Sequence, residues 1–422
     1  MWIKISFLFL ALCFTFSTYG QEAKAREIVE RLCSEEFYGR GYVENGVNKA
    51  ADFLKEEFQK AGLNPFFGDT TYFQDYSFSV NTFPGAMRIV SDDNFFRPGI
   101  DFIVNENSGS FKGELFLVEL TPEIIADESK FIAALSQIES GKKNGILVDL
   151  TAFSDVGDLT SQLNFFSSHM PIVYLTDKKF TWSVARSQTK FPIIYFQKDV
   201  FIDNLLSVNI EAKLIQDFPN KNIAGYFPAK KKNAKTIVFT AHYDHLGGMG
   251  TTPNKTYFPG GNDNASGTAM LLSMADYFKD KPQKYNVLFI AFSGEEIGLL
   301  GSQYFVNSQV LPVNDVKFLI NLDIMGSGEE GITVVNGSVF TKEFKKLQKI
   351  NQKQQYLSQI KSRGEAANSD HWFFYKSGVP SIFIYTMGPN KHYHDVYDTY
   401  EELSFKAYDN IVKLLVDFVG KL

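Results

Sequence analysis

With 422 residues, 44% of them hydrophobic, the chain can bury full cores and has room for two or three domains. Its formal charge of −6 at pH 7, with no basic run or Arg-rich patch, argues against a nucleic-acid partner. Only two cysteines are present, which excludes a disulfide-stapled scaffold, and there is no heptad pattern, internal repeat or low-complexity segment.

Residues 1–20, MWIKISFLFLALCFTFSTYG, carry one early Lys4, an apolar stretch and then small and polar residues. That is the pattern of a signal peptide, with cleavage expected after Gly20. The apolar run is short for a bilayer span and lacks a basic stop-transfer flank, which counts against a membrane anchor. Cys13 follows Leu10-Ala11-Leu12 much as in a lipoprotein site, but a bulky Leu stands where a small residue is usual. Removing residues 1–20, which hold Lys4 and no acid, makes the chain one unit more acidic and leaves Cys33 alone. A large exported protein without disulfides suits secretion from, or the periplasm of, a bacterium, with no membrane span after the leader.

Residues 45–61 put Val47, Ala51, Leu54, Phe58 and Ala61 on one helical face, and the helix should stop at Gly62, with Pro65 beyond. From about residue 81 to 212 the character changes to short β-rich runs, GELFLVEL, KNGILVDL, MPIVYL and FPIIYF, separated by polar or helical links. Residues 78–101 fit no clear pattern. The principal sheet resumes near Asn222 (NIAGYF), and residues 404–419 close the chain as a helix. Tyr408, Ile411, Leu415 and Phe418 form its apolar stripe, with Ser404 as the expected N-cap.

Between those points, buried-strand patterns end in groups able to bind metal. The run 235–240 (KTIVFT) leads into AHYDHLGG, with His242 and Asp244. A Gly-rich turn, FPGGNDNASG, holds Asp263 ahead of an apolar helix. The run 285–292 (YNVLFIAF) ends in SGEEIGLLGS, where Glu295 and Glu296 are adjacent. The run 316–322 (VKFLINL) precedes Asp323, and 380–385 (PSIFIY) is followed by HYHDVYDT, with His392 and His394. In parallel or mixed sheets, ligands bind beyond the carboxyl ends of the strands. Two neighbouring glutamates at a dry site repel, so one is driven to take a proton unless a cation is present. A metal resolves the conflict by taking one as ligand and leaving the other to move protons. The plainer alternative for the pair alone is a solvated helix start favoured by the helix dipole. Two His and three carboxylates shared between two ions, one carboxylate bridging, would give each ion three protein ligands and an open position.

Taken in order, AHYDH, GGNDNASG, SGEEIGLLGS, INLDIMG and YHDVYDT resemble the di-zinc aminopeptidase family. That family includes bacterial leucyl aminopeptidases, glutamate carboxypeptidase II, glutaminyl cyclases and the catalytically silent transferrin receptor. The resemblance implies an α/β fold: a mixed, largely parallel central sheet flanked by helices. It also implies two zinc ions per chain. His242 and Asp323 would hold one, Glu296 and His394 the other, and Asp263 would bridge them. Glu295 would be the general base, Asp244 would orient His242, and Tyr393 would help stabilise an oxyanion. His245 and His392 would be loop residues or supports behind the ligands, Asp370 and His371 structural or near the substrate, and His169 a surface residue.

The same resemblance implies peptide substrates with a free N-terminus. A carboxypeptidase or other amidohydrolase, or a glutaminyl cyclase, is the alternative on this scaffold, and loss of ligands would mark a non-catalytic receptor. The expected organisation is a leader (1–20), an N-terminal helical part (21–80), an inserted domain similar to the protease-associated domain (81–212) and the catalytic part (213–422).

Overall fold

The computed structural model describes residues 21–68, 70–92, 94–201 and 203–422. The leader and Cys13 lie outside them. Among the described residues, no helix is long and apolar enough to cross a membrane.

A nine-stranded mixed sheet organises one half of the molecule. At its centre Asn286–Phe292, Thr236–His242, Val316–Leu322 and Ser381–Thr386 run mutually parallel in that spatial order. All seven residues of Thr236–His242 are buried, as expected of a strand covered on both faces. The 15-residue strand Lys213–Phe227 flanks them antiparallel to Asn286–Phe292 and also pairs with Phe73–Thr82. On the other side Ile332–Val335 pairs antiparallel with Ser381–Thr386.

Helices cover both faces. The helices Gly46–Lys60, Gly267–Phe278 and Tyr408–Val419 share one apolar core with the sheet, and Phe305 and Phe374 from two shorter helices pack on the opposite face. Val47, Ala51, Leu54, Phe58 and Ala61 are all buried there. Tyr408, Ile411, Leu415 and Phe418 are buried too, each such side chain stabilising the fold by about 1.5–3 kcal/mol relative to an exposed one. Ser404 does not cap this last helix. The helix begins at Tyr408, because Phe405 takes a left-handed backbone (φ 54°) through which no helix can run, and the Ser404 hydroxyl instead accepts the Lys406 N–H.

The intervening chain builds an eight-stranded sheet, ordered Asn94–Phe96, Met87–Ser91, Leu205–Ile210, Phe111–Glu119, Gly145–Asp149, Ile172–Thr176, Ile193–Gln197, Phe102–Val104. The four β-rich runs read from the sequence are its parallel strands, and the links include helices Glu128–Glu139 and Val156–Leu163, each with an aspartate cap. The unpatterned residues 78–101 divide between the two sheets: Phe73–Thr82 belongs to the first, Met87–Ser91 and Asn94–Phe96 to the second. One face of the second sheet packs on its own helices. The other shares a core with Leu246, Met249 and Phe258, which belong to the loops beyond Thr236–His242. That shared core seats the second sheet against the carboxyl ends of the parallel strands.

Candidate metal centre

The parallel strands deliver their terminal residues to one place. His242 closes its strand, Asp323 follows Val316–Leu322, Glu295 and Glu296 follow Asn286–Phe292, and His394 lies in the loop after Ser381–Thr386. Asp263 sits on an irregular wide turn, Gly261–Ser266, entered through Gly260. Gly260 has φ +59°, and a Cβ there would lie 2.4 Å from both the Asp263 carbonyl oxygen and the His245 ring, so only glycine fits.

Two groups of ligand atoms form, each within 4.8 Å: His242, Asp263 and Asp323, and His245, Asp263, Glu296 and His394. Asp263 is common to both. Its Oδ1 is 3.2 Å from His242 Nε2 and its Oδ2 is 3.1 Å from His394 Nε2. His242 Nε2 is also 3.4 Å from Asp323 Oδ1, and His394 Nε2 is 3.0 Å from Glu296 Oε2. The buried atoms Asp323 Oδ1, His394 Nε2 and His245 Nε2 nevertheless have no hydrogen-bond partner among the described residues. Nitrogen and oxygen atoms brought within 3.0–3.4 Å of one another from separate elements converge on a shared point. Tetrahedral zinc, with bonds of about 2.0–2.1 Å, sets its ligand atoms about 3.3 Å apart. The donor set therefore fits two divalent ions bridged by Asp263.

Electrostatics agree. Burial alone would strip the proton from His242, yet the Glu295 and Asp323 carboxylates push its pKa well above the imidazole range. Burial also opposes charge on His394, but Glu296 and Asp263 raise it to about 11. Burial would raise Asp263, and the two imidazoles hold it well below the usual carboxylate value. Protons on the two histidines thus balance the carboxylates. A divalent cation in the same place displaces them, so its uptake releases protons and weakens as pH falls. The conflict between the adjacent glutamates is resolved unequally. Burial, with Glu296 adding to it, pushes Glu295 well above its ordinary value. Burial would raise Glu296 as well, but His394 and His245 hold it down to about 2.

Much of the surrounding support was not read from the sequence. Asp398, in the same HYHDVYDT motif as His394, accepts the N–H groups of Asn262 (2.9 Å) and Asp263 (3.0 Å) and so fixes the turn bearing the shared carboxylate. A buried relay runs from the Thr240 hydroxyl to Asn321 Oδ1 (2.6 Å), from Asn321 Nδ2 to the Ser369 hydroxyl (2.7 Å), and from that hydroxyl to Asp323 Oδ2 (2.9 Å). It leaves Asp323 Oδ1 free to face His242. Arg40 is wholly buried and donates to four carbonyls, those of Leu32, Tyr243, Pro259 and Gly260, at 2.6–2.9 Å. It ties the loops carrying His242 and Asp263 to the N-terminal segment.

The other sequence candidates are placed as follows. The carbonyl of Asp244, 3.1 Å from His242 Nδ1, is nearer than its carboxylate at 3.7 Å, and the carboxylate instead accepts the Glu295 N–H at 3.3 Å. Asp244 therefore meets His242 chiefly through its backbone. His245 Nδ1 donates to Glu296 Oε1 at 2.6 Å, leaving Oε2 toward His394. Tyr393 stacks its ring on that of His394, centroids 3.9 Å apart, and is 47% exposed. His392 pairs with Asp395 at 3.3 Å. Asp370 and His371 are fully buried, their side chains without hydrogen-bond partners among the described residues, and burial drives Asp370 up to about 7 and His371 down to about 4. Within that segment it is Ser369 that reaches the centre. His169 is exposed and pairs with the Ser168 hydroxyl.

Residues 222–419 match the family model described as Peptidase family M28. Aminopeptidase YwaD of Bacillus subtilis is 31% identical over 243 residues, covering 53% of this chain and 50% of its own. Leucine aminopeptidase 1 of Pyrenophora teres is 23% identical over 338 residues, covering 71% of this chain and 85% of its own. The chain spans only 50–60% of the length of several such curated relatives. Two solved structures superpose over almost the whole chain. One is BSAP, a zinc aminopeptidase from Bacillus subtilis (TM-score 0.66, 19% identity, 94% of both chains). The other is a Peptidase M28 precursor from Shewanella amazonensis (TM-score 0.65, 14% identity, 96% of both chains). The fold is that of the M28 peptidases, and the segment 222–419 that matches the family contains every side chain gathered at the candidate metal centre.

Proposed function

We propose that this chain is a zinc-dependent metallopeptidase that removes N-terminal residues from peptides. The observation that carries the proposal is the pair of buried ligand sets sharing Asp263, with Glu295 beside the ligand Glu296. Imidazole and carboxylate donors without cysteine suit zinc. Two such ions, when bound, polarise a peptide carbonyl and lower the pKa of water. Among the chain's own groups, Glu295 accepts a proton from the attacking water and returns it to the leaving amine. The Asp244 carboxylate steadies the Glu295 backbone N–H. Asp263 and Asp323 keep their free oxygens aimed at His242 through the Asp398 and Ser369 hydrogen bonds. Tyr393, stacked on His394, keeps its phenol proton because partial burial and the nearby carboxylate charge raise its pKa, and it can donate that proton to a developing oxyanion.

The aminopeptidase assignment draws on the names of the relatives, which describe aminopeptidases. Purified protein is expected to contain close to two zinc ions per chain and to hydrolyse aminoacyl substrates but not N-blocked ones, with activity lost on chelation and restored by zinc. Preference for N-blocked substrates with a free C-terminus would point to a carboxypeptidase, and full activity with one ion or none would rule out the two-ion reading.

The mature chain is proposed to begin at Gln21 and to be exported, on the pattern of residues 1–20. N-terminal sequencing of protein from the native host is expected to start at Gln21. An intact Met1 or a lipid on Cys13 would refute it. Residues 81–212 are proposed to form a domain inserted in the catalytic part.

A further inference from the structure

We propose that the loop of residues 177–185 from the second sheet positions the metal ligand His394, with Trp182 as the positioning residue; this rests on the metal reading of the site. The loop leaves the strand Ile172–Thr176 without regular structure of its own. Trp182 grips His394 twice. Its N–H donates to the His394 carbonyl at 2.9 Å, and its carbonyl lies 2.9 Å from His394 Nδ1. A carbonyl can only accept, so Nδ1 keeps its proton and Nε2, facing Asp263 and Glu296, is the nitrogen that would give up its own to bind an ion. Between these two contacts His394 has a left-handed backbone conformation (φ 53°), uncommon for a residue other than glycine.

Trp182 is in turn fixed by its own surroundings. It is 4% exposed, its indole N–H donates to the Val104 carbonyl at 2.8 Å, and its ring stacks on Phe258 with centroids 4.7 Å apart. Three residues earlier, Lys179 clasps the His394 loop from outside. Its Nζ lies 2.6 Å from buried Asp395 Oδ2 and 2.8 Å from the Lys391 carbonyl. His242 has no comparable dependence, since its Nδ1 faces Asp244 on its own loop. The two halves of the centre are therefore unequal. The set containing Glu296 and His394 is completed from the second sheet, and the set containing His242 and Asp323 is not.

Competition titration of the full mature chain with a zinc chelator tests this through two affinities rather than through activity. Wild type should show two bound ions. Trp182→Ala keeps both backbone contacts to His394 but unpins the loop that carries them, so it should weaken one ion about 10-fold, the lower end of the scale for disturbing a group that orients a ligand, and leave the other near wild type. Trp182→Phe, which keeps the stacking on Phe258, should largely rescue the weak step, and Lys179→Met should weaken the same ion less. The affected step should be the one weakened by Glu296→Gln. Leu206→Ala, in the same core as Trp182 but on the strand Leu205–Ile210 rather than on the loop, should lower thermal stability and leave both affinities in place. Two unchanged affinities in Trp182→Ala would overturn the proposal. So would an equal loss of both ions, or the same selective loss in Leu206→Ala. A wild type that binds no zinc would instead bring down the metal reading.

Discussion

Glu295→Gln is expected to keep both zinc ions and lose about two to four orders of magnitude in turnover, the usual worth of a positioned acid–base group. The substitution preserves shape and leaves untouched both donor sets, neither of which includes Glu295. It removes only the basic oxygen. The neighbouring change should fail differently. Glu296 places Oε2 3.0 Å from His394 Nε2 and Oε1 2.6 Å from His245 Nδ1, so Glu296→Gln replaces an anionic ligand and should release or loosen one ion. Metal analysis and turnover, compared at saturating zinc, separate the two. Near-normal turnover in Glu295→Gln, or loss of metal from that variant, would reverse the assignment of base and ligand.

Asp263→Ala should have the widest effect of any single substitution in the centre. One carboxylate oxygen faces each histidine, so removing it withdraws an anionic ligand from both ions at once. The turn itself should persist, because its backbone is held by Asp398 and by Asn264, whose side-chain oxygen accepts the Gly267 and Ile324 N–H groups. An ion present at a hundred times its dissociation constant stabilises the folded state by about 2.7 kcal/mol. The rise in melting temperature that zinc gives wild type, measured for each protein against its own value in chelator, should therefore largely vanish in Asp263→Ala. Retention of one ion at wild-type affinity would show that the carboxylate is not shared.

The half built on the nine-stranded sheet was legible in the sequence because buried parallel strands are written as unbroken apolar runs, and each here stops at a group unsuited to a core. Thr236–His242, Asn286–Phe292 and Val316–Leu322 differ from their predicted ranges by at most two residues at either end. Recognising His242, Asp263, Glu296, Asp323 and His394 as one constellation needed their order along the chain, since each short motif alone is common. What stayed hidden depended on distance in sequence. Trp182 lies 212 positions from His394, and nothing in its local pattern marks it as a partner. Arg40 acts through backbone carbonyls, whose positions the sequence does not encode locally. Ser404 misled because a serine ahead of an apolar stripe is a common cap, and the left-handed turn at Phe405 carries no residue signal.

The central claim is that two ions share Asp263 at the carboxyl ends of the parallel strands. Anomalous diffraction at the zinc edge, from crystals of zinc-loaded protein, tests it most directly. Two peaks should flank the Asp263 carboxylate, one bounded by His242 and Asp323 and the other by Glu296 and His394. A single peak, or two peaks that do not share Asp263, would contradict it.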